Sequence, residues 1–215
     1  MNIAIVLSGN GVYDGAEVHE STLTMLAIHQ EGSSYQCFAP DVDQMHVINH
    51  YSGAEMKESR NVLVESARIA RGDIKPLDEL NMKDYDALIF PGGFGAAKNL
   101  CTFAKDGPDC KVDAEVERVV LAAHNQKKPI GAICISPVII TSLIKDVKVT
   151  IGSDPDTISA IKTMGGEHTT TTHGEVVVDE KYNIFTTPCY MLDANILQIW
   201  EGANNVVKAI NEKMK

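Results

Sequence analysis

The sequence lacks the features that mark membrane proteins and nucleic-acid-binding proteins. It contains no apolar run near the ~20 residues that a membrane-spanning helix needs. Basic residues are also few, since 19 Lys and Arg stand against 29 Asp and Glu and give a formal net charge of −10 at pH 7. Nucleic acids and anionic membranes bind clustered Lys and Arg side chains. We therefore expect neither a nucleic acid nor a membrane as a partner.

Cysteines are few, and their spacing suggests no disulfide framework. The chain has five, at positions 37, 101, 110, 134 and 189. An odd number without tight pairs favours free thiols in a reducing compartment. Cys101 and Cys110 could approach one another, but a reducing compartment favours ordinary thiols at both positions. Residues 1–7 read as a strand and lack the basic segment of a secretory signal, so we expect a cytoplasmic protein.

Short apolar runs alternate with helical patterns along the chain. Strands are predicted at 3–7, 35–39, 85–90, 129–133, 147–151, 175–178 and 183–187, and helices at 17–31, 59–71, 113–126, 135–144 and from about 193. This alternation is typical of an α/β sandwich, in which a mostly parallel sheet carries helices on both faces. The turn at 179–182 predicts a small β-hairpin near the C-terminus. The length of 215 residues suits a single domain over 1–215.

Side-chain spacing gives three local expectations. Leu23, Leu26 and Ala27 are expected on the buried face of the first helix. Ser59 is expected to cap the second helix. The buried stripe of the last helix is predicted to contain Ile196, Ile199, Trp200, Ala203, Val207 and Ile210. Residues 40–57 form the longest stretch without clear periodicity, which makes them a candidate functional loop.

A cysteine stands where α/β proteins often place a nucleophile. Cys134 directly follows the predicted strand at 129–133, and Pro137 fits the first turn of the helix that comes next. A thiol at such a junction faces the positive end of the helix dipole, which favours the thiolate. Ligands of such sheets bind at the carboxyl ends of the strands. The sequence therefore predicts a reactive thiol at that edge of the sheet.

Two other segments should meet Cys134 at the same edge. Glu20 shares a helix face with Leu23 and Ala27, so its carboxyl is expected to be buried, to be protonated and to donate a hydrogen bond to the sulfur. Glu17 is the rival carboxyl, and either residue could simply complement the helix dipole. Pro91-Gly92-Gly93 ends a predicted strand without bulky side chains. The N–H groups of Gly93 and Ile135 could therefore form an oxyanion hole, although a plain glycine turn would leave the same pattern.

These segments carry a family resemblance. Their order and spacing resemble the PfpI-like superfamily, which includes intracellular proteases, deglycase and glyoxalase proteins and class I glutamine amidotransferase domains. One branch is more similar still over residues 1–210, namely the ElbB family of isoprenoid-biosynthesis, amidotransferase-like proteins. The segments that carry this resemblance are GVYDG at 11–15, CFAPD at 37–41, VINH at 47–50, RNVL at 60–63, PGGFGAAKNL at 91–100 and TTP at 186–188.

The resemblance implies a flavodoxin-like fold, a homodimer and no cofactor. It implies that Cys134 is the nucleophile, Glu20 its carboxyl partner, and Gly93 and Ile135 the oxyanion donors. It also implies a glutathione-independent glyoxalase that converts glyoxal, and by extension methylglyoxal, to the 2-hydroxy acid through a Cys134 hemithioacetal. A small aldehyde is then the expected partner. Further candidate pocket residues are Gly92, His19, Asn49, His50 and Cys189.

The chain departs from two branches of the superfamily. The protease branch places His directly after the cysteine, where this chain has Ile135, so peptidase activity is not expected. Class I amidotransferases complete a triad with His-x-Glu, for which the single formal match is His173-Gly174-Glu175. A nucleotide cofactor is not expected, because the spacing of Gly9, Gly11 and Gly15 does not fit the dinucleotide fingerprint.

These residues leave three functions open and argue against a metal site. The glyoxalase leads, a non-catalytic redox sensor or isoprenoid-biosynthesis accessory protein is the alternative, and a glutaminase subunit ranks last. His46 and His50 lie four residues apart and could share a metal on a helix. Their segment is not convincingly helical, so no metal site is predicted.

Overall fold

The computed structural model describes residues 1–214 and contains a seven-stranded sheet between two helical layers. Its strands are β1 (Asn2–Val6), β2 (Ser34–Ala39), β3 (Ile74–Pro76), β4 (Ala87–Phe90), β5 (Ile130–Ile133), β6 (Lys148–Val149), β7 (Glu167–His168), β8 (Val177–Asp179) and β9 (Ile184–Thr187). The sheet order is β3-β2-β1-β4-β5-β9-β8, and β6 and β7 pair separately. Only β8 runs antiparallel within the large sheet, where it forms the expected hairpin with β9. The predicted flavodoxin-like α/β fold is confirmed.

The helices are α1 (Val18–Gln30), α2 (Val62–Ile69), α3 (Phe94–Lys98), α4 (Phe103–Asp106), α5 (Ala114–Asn125), α6 (Pro137–Leu143), α7 (Pro155–Thr163) and α8 (Ile196–Lys213). Short 3₁₀ turns lie at Leu77–Glu79, Met82–Asp84, Gly107–Asp109 and Cys189–Met191. Within residues 1–214, no helix combines the length and the apolarity that crossing a bilayer requires.

The core forms because successive side chains of the central strands point to opposite faces of the sheet. β4 and β5 are fully buried, as expected for strands covered on both sides. Leu88 and Phe90 join a cluster that includes residues of α5 and α6. Ile89 and Ile133 face the opposite cluster, which includes residues of α1 and α8. The two packed layers fix the carboxyl ends of β1, β4 and β5 beside one another.

Three local expectations from the sequence are wrong. Leu26 is 45% exposed, because α1 turns Glu20, Thr24 and Ile28 inward and leaves Leu26 on the outer side. Helix α2 begins after Asn61, whose side chain accepts the Val64 N–H, so Ser59 is not its cap. The α8 stripe is confirmed at Ile199, Ala203, Val207 and Ile210, whereas Ile196 in the first turn is 54% exposed.

Several short elements were not predicted or were predicted with other bounds. The strand expected at 147–151 is confined to β6, which pairs with β7 outside the large sheet. The strands β3 and β7 and the helices α3, α4 and α7 have at most nine residues each. These elements carry few apolar positions, so neither an apolar run nor a helical stripe marks them in the sequence.

Candidate active site

Cys134 lies on a sharp turn between β5 and α6. Its φ is +63°, a left-handed conformation that costs a non-glycine residue about 1–3 kcal/mol. The Cys134 N–H donates to the Thr187 carbonyl at 3.0 Å, and the Ser136 hydroxyl donates to the Pro91 carbonyl at 2.7 Å. These bonds hold the strained residue between β9 and the end of β4. The predicted junction cysteine is therefore a constrained elbow at the carboxyl edge of the sheet.

Glu20 reaches the sulfur from α1. The side chain is fully buried and is hydrogen-bonded to Cys134. One carboxyl oxygen, Oε2, accepts the Gly92 N–H at 3.0 Å, and the other, Oε1, accepts the Tyr190 N–H at 3.1 Å. Burial, followed by the charge of Glu17, raises the pKa of Glu20 to about 8. The predicted burial of this carboxyl is confirmed, and the raised pKa favours its protonated form, while its catalytic role stays a prediction.

Glu17 caps helix α1 and is not the carboxyl that contacts the sulfur. Its carboxylate accepts the Glu20 N–H at 2.7 Å, which is the hydrogen bond of a helix N-cap. The Glu17 N–H in turn donates to the Gly92 carbonyl at 2.9 Å. The rival carboxyl therefore fixes the start of the helix that carries Glu20 and joins it to the glycine turn.

The electrostatics of the thiol differ from the expectation. Burial raises the pKa of Cys134 well above its usual value, and ionisation of the neighbouring Glu20 adds to this increase, whereas the N–H groups of Gly93 and Ile135 favour the thiolate. The predicted resting thiolate is therefore wrong. A seven-residue helix cannot offset the burial of a side chain that is only 6% exposed. The two N–H groups do converge on the sulfur, as an oxyanion hole beside a nucleophile requires.

Gly92 occupies the space between the two reactive side chains. A β-carbon there would lie 2.3 Å from Cys134 Cβ and 2.5 Å from Glu20 Oε2. No L side chain fits without moving the pair, so the glycine is required for the close approach of thiol and carboxyl.

We expect Gly92→Ala to separate the pair and to lower the free energy of unfolding by about 1–3 kcal/mol. Denaturant unfolding and alkylation of Cys134 by iodoacetamide would measure both effects. Gly32→Ala is the control for loss of stability alone, because its φ of +71° strains an alanine while the added methyl group meets nothing within 4 Å. Its alkylation rate at Cys134 should match that of the wild type. An unchanged alkylation rate in Gly92→Ala would contradict the proposed contact.

Cys134 opens into a cavity of about 420 Å³. Most of its lining is apolar, and the polar side chains at its wall are Asp154, Thr157 and Tyr190. The lining residues are Val12, Gly93, Phe94, Ala97, Phe103, Ala104, Cys134, Ile135, Asp154, Thr157, Tyr190 and Met191. The thiol therefore faces a space that suits a small, partly apolar molecule.

Tyr190 connects two of the predicted pocket residues. Its N–H binds Glu20, and its hydroxyl lies 2.8 Å from His19 Nδ1. His19 itself is exposed and lies outside the cavity lining. Cys189, the residue before Tyr190, is buried close enough to Glu20 and Cys134 that their charges raise its pKa together with burial. No pattern in the sequence points to Tyr190, which follows β9 by three positions.

Asn49 and His50 do not line the cavity that contains Cys134, so this part of the prediction is wrong. His50 Nε2 accepts the Tyr13 N–H at 3.1 Å, and Asn49 Oδ1 accepts the Tyr51 N–H at 3.0 Å. Asp14 Oδ2 accepts the Ile48 N–H at 2.6 Å and ties the same loop to the segment after β1. Asn49 therefore stabilises the 40–57 loop itself, and His50 joins this loop to the segment after β1.

The formal amidotransferase match is not arranged as a triad. His173 Nε2 bonds to the Asp193 carbonyl at 2.8 Å. Glu175 accepts hydrogen bonds from the N–H and the hydroxyl of Thr172. Neither residue lines the cavity beside Cys134. The geometry therefore agrees with ranking the glutaminase function last.

Known proteins share the sequence and the fold over nearly the whole chain. The chain is 48% identical to the rat "ES1 protein homolog, mitochondrial", covering 98% of this chain and 83% of that protein. It is 47% identical to the human "Glutamine amidotransferase-like class 1 domain-containing protein 3, mitochondrial", covering 98% and 82%. A crystal structure of an isoprenoid biosynthesis protein with an amidotransferase-like domain from Ehrlichia chaffeensis matches with a TM-score of 0.94, at 36% identity over 100% of both chains. No family model matches the sequence.

The names of these relatives correct the expected location. The rat, human and zebrafish proteins are all named mitochondrial, which contradicts the prediction of a cytoplasmic protein. That prediction depended on free thiols and the missing secretory pattern. Free thiols indicate a reducing compartment, but they do not indicate which reducing compartment of the cell it is.

Proposed function

This chain belongs to the ES1 family of glutamine amidotransferase-like class 1 domain proteins, and from that premise we propose an ElbB-type, glutathione-independent glyoxalase. Its substrates are 2-oxoaldehydes, and its products are 2-hydroxy acids. The observation that supports this most directly is the buried contact between the Cys134 thiol and the Glu20 carboxyl at the wall of a mainly apolar cavity. No histidine stands among the described residues that line this cavity.

The proposed reaction begins with addition of Cys134 to the aldehyde carbon. As the carbon–sulfur bond forms, Glu20 takes the thiol proton, and the oxyanion receives hydrogen bonds from Gly93 and Ile135. Glu20 then gives this proton to the oxyanion, which yields a hemithioacetal and restores the carboxylate. A thiol of raised pKa needs such a base, because little thiolate exists before the substrate arrives.

Proton transfer then completes the internal redox change. Glu20 removes the proton from the former aldehyde carbon, which gives an enediolate. The hydroxyl proton moves to the neighbouring oxygen, and Glu20 returns its proton to the neighbouring carbon to leave a 2-hydroxy thioester. Water breaks the carbon–sulfur bond, releasing the 2-hydroxy acid and the thiol. The sum is one 2-oxoaldehyde plus one water for one 2-hydroxy acid. A carboxyl with a pKa of about 8 can both accept and return a proton near neutral pH.

The cavity favours substrates larger than glyoxal. A two-carbon molecule would leave most of the 420 Å³ and its apolar wall unused. Burying one added methyl group contributes about 0.8 kcal/mol, which is roughly a fourfold gain in affinity. We expect kcat/KM to rise about fourfold from glyoxal to methylglyoxal and further for phenylglyoxal. Phe94→Ala should reduce the phenylglyoxal value more than the glyoxal value, and a strict preference for glyoxal would contradict the assigned cavity.

The direct test is product identification by NMR. The protein would be incubated separately with glyoxal, methylglyoxal, phenylglyoxal and glutamine. We expect the 2-hydroxy acid from each aldehyde and no ammonia from glutamine. Ammonia release without any 2-hydroxy acid would favour the glutaminase function and overturn the proposal.

A non-catalytic accessory role in isoprenoid biosynthesis is the alternative, and the name of the Ehrlichia chaffeensis structure favours it. In that case, the aldehydes would alkylate the protein without turnover. A version in which Cys134 senses oxidants is less compatible with the site, because sensor thiols are exposed and have a low pKa. The homodimer expected from the resemblance stays a prediction.

A further inference from the structure

We propose that Cys101 and Cys110 form a second thiol site, separate from Cys134, that a peroxide oxidises to an intramolecular disulfide. The bridge between Cys101 and Val112 brings the two thiols close enough for each to shift the pKa of the other. Both are free thiols in the structure. Neither residue lines the cavity of Cys134 or takes part in the proposed reaction.

The backbone holds the two cysteines close together at the ends of a closed loop. Cys101 and Val112 form an antiparallel bridge. Beside this bridge, the Thr102 N–H donates to the Lys111 carbonyl at 2.9 Å, and the Asp113 N–H donates to the Leu100 carbonyl at 2.9 Å. Residues 103–109 therefore form a loop whose two ends are held together at this bridge. The two cysteines lie at these joined ends, which we call the neck of the loop. A disulfide needs this kind of fixed, close approach, because it tolerates little backbone movement.

The two thiols differ in a way that suits a two-step oxidation. Cys110 is partly exposed, whereas Cys101 is buried and hydrogen-bonds through Sγ to the Ala96 carbonyl at 3.4 Å. The neighbouring Cys101 thiol lowers the pKa of Cys110 to about 7, while the same contact and burial raise the pKa of Cys101. Cys110 is thus the thiolate that meets the oxidant, and Cys101 is the resolving thiol beside it.

The chemistry balances with one hydroperoxide. The Cys110 thiolate attacks one peroxide oxygen and breaks the O–O bond, which gives a sulfenic acid and, after protonation, water. The Cys101 sulfur then displaces the sulfenic oxygen, forming the S–S bond and a second water. Two thiols lose two electrons and two protons, and hydrogen peroxide is reduced to two waters.

The position of the loop gives this oxidation a consequence for the cavity. Phe103 and Ala104 lie between the two cysteines in the sequence and line the same cavity as Cys134. The same segment carries helix α4 and the 3₁₀ turn at Gly107–Asp109. A disulfide at the neck would restrict the movement of that part of the wall without a bond to the catalytic residues.

The sequence makes the test direct, because Lys105 stands between the two cysteines. Trypsin cleaves after Lys98, Lys105 and Lys111, so Cys101 leaves in peptide 99–105 and Cys110 in peptide 106–111. The full chain would be treated with one equivalent of hydrogen peroxide at pH 7.5, alkylated with iodoacetamide under denaturing conditions and digested. We expect these two peptides joined, at their summed mass less two hydrogens, in more than half of the protein. Dithiothreitol added before alkylation should return both as alkylated peptides.

Two variants assign the separate roles of the two thiols. Cys110→Ser should abolish the joined peptide and leave Cys101 fully alkylated, because the attacking thiol is gone. Cys101→Ser should instead leave Cys110 as a sulfenic acid that dimedone traps. Recovery of most of the Cys101 as alkylated peptide from the peroxide-treated wild type would overturn the proposal. Sulfinic acid at Cys110 without the joined peptide, or a cross-link that uses Cys134 or Cys189, would overturn it as well.

Discussion

Replacing Cys134 with alanine is expected to lower kcat/KM for 2-oxoaldehydes by a factor on the order of 10⁴ or more, because alanine cannot form the hemithioacetal. The fold should survive the change. The native cysteine and the introduced alanine bear the same backbone strain at a φ of +63°. The substitution removes a single buried sulfur atom. Circular dichroism and thermal unfolding would confirm the intact fold. Chromatography of the 2-hydroxy acid would measure the remaining rate.

Cys110→Ser is the matched control for this experiment when the assay contains a reductant. It removes a thiol of lowered pKa that does not line the cavity, so a rate within about twofold of the wild type is expected. Equal losses in both variants would mean that any reactive thiol promotes the aldehyde chemistry. Turnover retained in Cys134→Ala would remove the covalent mechanism.

The central part of the candidate site could be predicted because each piece is encoded locally. A buried strand followed directly by Cys134 and a proline-led helix defines the elbow within a short segment. The glycine pair at 92–93 closely follows β4, and Glu20 repeats at helical spacing with buried residues of α1. Parallel strands bring their carboxyl ends to one edge, so local patterns were enough to place these groups together.

The rest of the site depends on contacts that no local pattern reports. Tyr190 reaches Glu20 across 170 positions through a backbone N–H, which nearly any residue type could supply. Asp154 and Thr157 line the cavity at the start of α7, a helix that buries Ile161 alone and therefore shows no apolar stripe in the sequence. The resemblance places Asn49 and His50 in the pocket. In the structure, Asn49 instead accepts a hydrogen bond from Tyr51 within its own loop, and His50 accepts one from Tyr13.

The protonation state of the thiol was predicted in the wrong direction for a related reason. The dipole of a following helix can be read from the sequence, but the depth of burial cannot. Cys134 is covered by the same packing that buries Glu20, and desolvation is the largest effect on the pKa of both. The catalytic logic therefore changes from a stored thiolate to a thiol whose proton has an adjacent acceptor.

Glu20→Gln is expected to change how stability depends on pH. The folded state keeps a proton on Glu20 up to a pKa of about 8, whereas the unfolded chain releases it near the ordinary value of 4.5. Between these values the unfolded state binds fewer protons, so the free energy of unfolding falls as pH rises. The contribution lost between pH 4.5 and 8 is about 5 kcal/mol, as an upper value. A glutamine has no such proton and should lose this decline.

The glutamine amide also loses one hydrogen bond at every pH. This loss decides which of the two proteins is the more stable at low pH. Both oxygens of Glu20 accept a backbone N–H, from Gly92 and from Tyr190, so the NH₂ of glutamine must face one of these donors. That unsatisfied contact costs about 1–3 kcal/mol. Wild type should therefore be the more stable protein at pH 5, and the difference should shrink or reverse by pH 9. Urea unfolding at half-unit steps of pH would measure it.

The same substitution separates the role of Glu20 as a base from its role in the fold. Wild-type kcat/KM should rise with pH through about 8, as the carboxyl becomes the base that accepts the Cys134 proton. Glu20→Gln should lower kcat/KM by about 10²–10⁴ and lose this rise. Glu117→Gln, on the exposed face of α5, is the control and should follow the wild-type curves in parallel. Parallel stability curves for wild type and Glu20→Gln would mean that folding does not raise the pKa of Glu20. That result would contradict the protonated carboxyl and the expected rise of kcat/KM through pH 8.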